Sequence, residues 1–151
     1  GFDIRNDIKI FDFGLAKEFD PTKRDANGMF KLTEATGSLR YMAPEVMLGK
    51  RYNERVDVYS FSILLWQILE LDTPFKDYVT LKPFFTHVYG ENARPKCNPE
   101  WPDRIVGLFQ SAWGPPTERP SMNEVVETLH DELDSIPCYV VLCATEGFEV
   151  F

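Results

Sequence analysis

Apolar and polar residues alternate from Ile8 to Ile10, and residues 2–5 and 8–11 form two short β-prone runs. Asn6-Asp7 lies between them, a pair that tolerates the positive φ angles of a tight turn. This pattern predicts a small β-hairpin, with Asp12 at the exit of its second strand. From Glu18 to Thr36 neither period is present, and Asp20-Pro21 and Asn27-Gly28 mark a long loop. Loops of that length inside a compact domain are more often functional than idle.

Helical periodicity takes over further along. Residues 54–71, ERVDVYSFSILLWQILEL, are apolar on nearly every side of a helical wheel, the signature of a helix in the middle of a core. Weaker helices are expected over 77–90 and 102–113. They are separated by an irregular stretch with Pro95, Pro99 and Pro102. Ser121 and Glu124 form a capping-box pattern, after which Met122, Val125, Val126, Leu129 and Leu133 line one face of a last helix that Pro137 ends. The tail CYVVLCA, residues 138–144, fits either one more strand or a hydrophobic docking segment. The expected architecture is mainly α, with one hairpin at its start and no internal repeat.

Composition narrows this picture. The chain has 151 residues, 44% of them hydrophobic and 14% aromatic, enough for one domain with a real core. The apolar run Phe61 to Trp66 is broken by Gln67, Glu70 and Asp72, so no membrane span is expected. Gly1 opens the sequence without any signal-like pattern, and the chain reads as a piece of something longer. Cys97, Cys138 and Cys143 make an odd set with no C-x-x-C pair and no zinc-spaced histidine, which favours reduced thiols in an intracellular, cytoplasmic setting.

Net charge is −8, and residues 120–151 carry seven acids with no Lys or Arg. The remainder is close to neutral, leaving no basic footprint for nucleic acid. The acidic end reads as a solvated helix face.

Three residues invite chemistry. Asp12 stands between Phe11 and Phe13 and just before Gly14. Asp and Gly favour turns, but a carboxylate at a strand exit is also the kind of ligand that holds a divalent cation bridging phosphates. Asp57 opens an apolar helix, where it can stabilise the first turn against the helix dipole. Ser38 follows Gly37 and can be read as an ordinary turn serine.

The motifs decide among these readings by resemblance. Asp12-Phe13-Gly14 and Ala43-Pro44-Glu45 bracket 28 residues, 15–42, and in that order they resemble the DFG and APE triplets around the activation segment of eukaryotic protein kinases. DVYSFSILLWQIL from Asp57 resembles the family's central helix, and ERPSM from Glu118 the turn into its last helix. The resemblance covers residues 1 to about 135, as a partial kinase domain, and leaves 136–151 as a tail of unassigned role. TGSLRYMAPEVM is closer to serine/threonine kinases, whereas WPDRIVGLFQSAWGPPTERPSMNEVVETL resembles the end of tyrosine kinases. The mixture resembles the tyrosine-kinase-like group of serine/threonine kinases.

The resemblance implies roles for individual residues. Asp12 would coordinate magnesium on ATP, with Phe13 in the core and Gly14 giving backbone freedom beside it. Glu45 and Arg119 would form a buried ion pair anchoring the end of the activation segment. Asp57 would accept backbone hydrogen bonds from the catalytic loop, and Ser38 would help orient the substrate hydroxyl. Thr33 and Thr36 lie where activation-loop phosphorylation tends to fall, near Arg24, Lys31 and Arg40 in sequence. The expected cofactors are ATP and magnesium, and the expected partner is a protein substrate.

These 151 residues contain no glycine-rich loop, no VAIK-type lysine with its acidic partner, and no HRD catalytic loop. They resemble a kinase C-terminal lobe lacking the N-lobe, inactive alone. Three hypotheses follow: the lobe of an active serine/threonine kinase, a noncatalytic kinase-like interaction module, or an unrelated helical domain with coincidental triplets. The third requires Glu45 and Arg119 to lie far apart.

Overall fold

The computed structural model describes residues 1–33 and 37–137. Five α-helices are formed there: α1 Pro44–Met47, α2 Arg55–Glu70, α3 Leu81–Phe84, α4 Asp103–Ala112 and α5 Met122–Ser135. Short 3-10 turns occupy Phe13–Leu15 and Pro21–Lys23, and α3 runs directly into a π-helical turn, Phe85–Gly90. The described residues are mainly helical, and their β structure is limited to two isolated antiparallel bridges, Phe2 with Ile8 and Phe30 with Tyr52.

The expected hairpin is therefore not formed. Gly1 and Lys9 exchange two backbone hydrogen bonds (2.9 and 3.1 Å), and a turn closes from Asp3 to Asp7 (2.9 Å), but no strand extends beyond the single bridge. The positive φ falls on Asn6 alone of the predicted pair, so the chain turns one residue earlier than a two-residue Asn-Asp loop requires. A lone two-stranded hairpin is marginal in water and needs a packed face. Here Ile4, Ile8, Ile10 and Phe11 are all exposed.

α2 is the axis of the core. Val58, Tyr59, Ser62, Ile63 and Trp66 are buried, and Tyr59, Ile63 and Trp66 share one cluster with Phe109 and Trp113 of the α4 end, Phe84 and Val88 of the α3 region, and Met42, Ala43 and Val46 around α1. Its other side, Leu64, Ile68, Leu69 and Leu71, is exposed among the described residues, so the all-round apolar pattern is buried on one side only. α5 packs by Val125 and Leu129 against Val58, Leu108 and Ala112. Its capping box is complete: Glu124 N–H donates to Ser121 Oγ (3.3 Å), and Ser121 N–H donates to Glu124 Oε2 (2.6 Å).

The segment expected to be helical over 77–90 starts only at Leu81 and widens into the π turn at Phe85. The long loop is more ordered than its composition implies. Asp20 caps the turn at Pro21, and Phe30 bridges Tyr52 and stacks on Phe19 (4.7 Å between centroids). The tail from Cys138, including Cys143, and Thr36 in the loop lie outside the described residues.

Candidate functional site

Asp12 has φ 63° and ψ 69°, the left-handed conformation, and the 3-10 turn of Phe13–Leu15 follows at once. Aspartate is among the few non-glycine residues that visit this region readily. The unusual backbone thus falls on Asp12 itself; Gly14, expected to supply the freedom, has no positive φ. Phe13 is 69% exposed rather than in the core, because nothing among the described residues packs over this end of the molecule. No cluster of three or more potential metal ligands is gathered among the described residues, so Asp12 offers a single carboxylate. Such a donor fits magnesium, which commonly takes one or two protein carboxylates and completes its shell with phosphate oxygens and water.

Asp57 sits in the first turn of α2, and partial loss of hydration raises its carboxyl above its ordinary value although the residue is exposed. It lines a cleft of about 350 Å3 with Lys17, Thr33, Ser38, Tyr41 and Ser60. Ser38 is exposed at the cleft's edge, just after Gly37, whose φ of 112° favours glycine. The structure brings Ser38 and Asp57 to one cleft. Asp12 does not line it.

At the other end of the segment, Glu45 enters α1 behind Pro44 at the first helical position. Arg119 donates to both of its oxygens, Nη1 to Oε1 at 2.5 Å and Nη2 to Oε2 at 3.0 Å. Arg119 is 1% exposed and also donates to the carbonyls of Gly114 (Nε, 3.0 Å) and Arg55 (Nη1, 3.3 Å). This is the bidentate geometry in which arginine and carboxylate bind most strongly.

Sequence reasoning missed the company this pair keeps. Tyr59 lies between two guanidiniums, Arg119 at 5.1 Å and Arg94 at 5.2 Å from its ring centre. Arg94 in turn donates to the carbonyls of Val88, Ala93 and Trp113. A tyrosine on an apolar helix and an arginine in a proline-rich loop gave no sequence signal of meeting.

The turn after Ser38 is held from three sides. Tyr89 Oη donates to the Leu39 carbonyl (2.8 Å), Ser60 Oγ to the Tyr41 carbonyl (2.8 Å), and Arg40 to the Pro74 carbonyl. Thr33 is exposed, and its carbonyl accepts from Tyr52 Oη at 2.7 Å. The three bases near Thr33 and Thr36 in sequence are directed to backbone carbonyls, Arg24 to Gly28, Lys31 to Gly49 and Arg40 to Pro74.

The family described as protein tyrosine and serine/threonine kinase matches residues 3–129, the greater part of the chain and all of the site just described. The chain belongs to that protein kinase family. Among its relatives, the kinase chain is 36% identical over 132 residues to the dual specificity protein kinase shkD of Dictyostelium discoideum, covering 87% of this chain and 17% of that protein. It is 37% identical over 123 residues to shkC of the same organism (81% and 24%) and 32% identical over 137 residues to the serine/threonine-protein kinase VIK of Arabidopsis thaliana (86% and 29%). The chain therefore spans less than a third of the length of each of these kinases. No helix among the described residues is long and apolar enough to cross a membrane.

Proposed function

We propose that these residues are the C-terminal lobe portion of an ATP-dependent protein kinase, serine/threonine-specific, that moves the γ-phosphoryl group of Mg-ATP onto a protein hydroxyl. The observation that carries this reading is the pairing of a left-handed Asp12 at the head of the 28-residue segment with the buried Glu45–Arg119 anchor at its foot. Under this reading the segment is an activation segment, and residues 136–151 are a separate tail.

In the reaction, the substrate oxygen forms the new bond to the γ-phosphorus as the bond to the bridging oxygen breaks, and the hydroxyl proton leaves to a base outside these 151 residues. Magnesium, when bound, offsets the charge carried by the phosphate oxygens. Asp12 would hold that ion with its single carboxylate, presented from a left-handed backbone position. Phe13 and Gly14 would shape the turn beneath it. Ser38, at the cleft edge, would orient the substrate hydroxyl, and Asp57 would accept main-chain N–H groups of the catalytic loop. Thr33 and Thr36 would be phosphorylation sites, and the odd cysteine set supports a cytoplasmic setting.

Asp12→Asn in the full-length protein tests the assignment. Asparagine tolerates the same backbone conformation, so folding by circular dichroism should be unchanged while phosphate transfer from labelled ATP falls more than about a hundred-fold. Retained turnover with magnesium would refute the role of Asp12. Transfer absent from the unaltered protein as well would favour a noncatalytic kinase-like interaction module.

A further inference from the structure

Beside the Asp57 cleft runs a second groove, of about 400 Å3, and Ser38 lines both. One wall is the turn at residues 38–41, closed by the Tyr41 N–H bond to the Ser38 carbonyl (3.0 Å). The other wall is formed by Tyr78, Val79, Thr80, Leu81 and Phe84, apolar and polar side chains together. The width of the groove is thus set by where the turn sits relative to α3.

Behind the groove, without lining it, one side chain ties the α3 side to the turn. Tyr89 belongs to the π turn that continues α3, and its hydroxyl donates to the Leu39 carbonyl, 50 residues earlier in the chain. The ring cannot drift. It is 8% exposed and meets Phe84 edge-on at 5.7 Å and Phe85 at 5.4 Å between centroids. Its packing and its hydrogen bond therefore act on different things: the ring fills the core, whereas the hydroxyl fixes the main chain of a turn whose first residue, Ser38, is exposed.

We propose that Tyr89 is a positioning residue for the protein substrate, holding the Leu39 carbonyl so that the groove beside Ser38 keeps the width that receives the substrate chain. This rests on the kinase reading given above. Removing the hydroxyl while keeping the ring would leave the core intact and take away the hold on Leu39, leaving those of Ser60 and Arg40 on its neighbours.

The test is Tyr89→Phe in the full-length protein, with steady-state kinetics against both substrates and amide hydrogen exchange. The expected result is a rise of about five-fold in KM for the protein substrate, in line with the loss of one neutral hydrogen bond. KM for ATP, kcat and the unfolding temperature should stay nearly constant, and exchange at Leu39–Tyr41 should quicken while that of α2 does not. Unchanged exchange at the turn, an unchanged protein-substrate KM, or equal changes in both KM values would overturn the proposal. The two readings fail separately: an inactive Asp12→Asn beside an indifferent Tyr89→Phe sinks only the positioning role, whereas an active Asp12→Asn sinks the reading beneath it.

Discussion

The two ends of the segment between Asp12 and Glu45 are built by opposite means. Around Asp12, Ile8, Ile10, Phe11, Phe13 and Leu15 all face water, and local turns hold the backbone. Around Glu45, a carboxylate and a guanidinium are almost wholly withdrawn from water, joined by two hydrogen bonds, and stacked against Tyr59. The first arrangement is cheap to form and easy to displace; the second is costly to assemble and hard to undo. Between them the segment is held again where Phe30 bridges Tyr52, so only its first part, before Phe30, is as lightly held as Asp12.

The strongest way to break this contrast is Arg119→Ala. It strands the Glu45 carboxylate in the core, and the expected loss is roughly 3–5 kcal/mol of stability, read as a lower denaturation midpoint. Combining it with Glu45→Ala should cost less than the two single losses added together, because neither charge is then left alone. Equal and additive losses would mean that the pair is not coupled.

A smaller effect is expected at the α5 cap. Ser121→Ala should cost about 1 kcal/mol by denaturant unfolding. Glu124 accepts hydrogen bonds from Ser121, which hold its carboxyl below its ordinary value of 4.5. Its contribution is therefore complete above that value and is lost as pH falls through the lowered folded one. The gap between wild type and Ser121→Ala should narrow in acid; a gap that widens would contradict the reciprocal bond.

Smallest of all should be Ile4→Ser. Ile4 is fully exposed, and its removal should move stability by no more than about 0.5 kcal/mol. A large loss at Ile4 would show that the Asp12 end is anchored after all, and would erase the comparison.

Local order was legible in the residues where neighbours in sequence suffice. The capping box at Ser121 and Glu124 and the long run of α2 are of this kind, since both depend on contacts within one or two helical turns. Glu45 and Arg119 lie 74 residues apart and were named through motif resemblance, because no period links positions so distant. Tyr59, Arg94 and Tyr89 escaped for a related reason. Each reads as an ordinary core or loop residue, and its polar atoms acquire meaning only when α2, the π turn and the turn at Leu39 are brought together. The hairpin failed in the opposite direction: its alternation was real, but a strand pattern needs a partner surface that the described residues do not provide.

The distance along the chain between Glu45 and Arg119 also has a meaning in time. During synthesis at about 5–20 residues per second, the carboxylate would precede its guanidinium by roughly 4–15 s. Throughout that interval α1 can be written into the nascent chain but not seated, and Tyr59, once made, can meet Arg94 before it meets Arg119. The foot of the segment is among the last contacts this lobe can close.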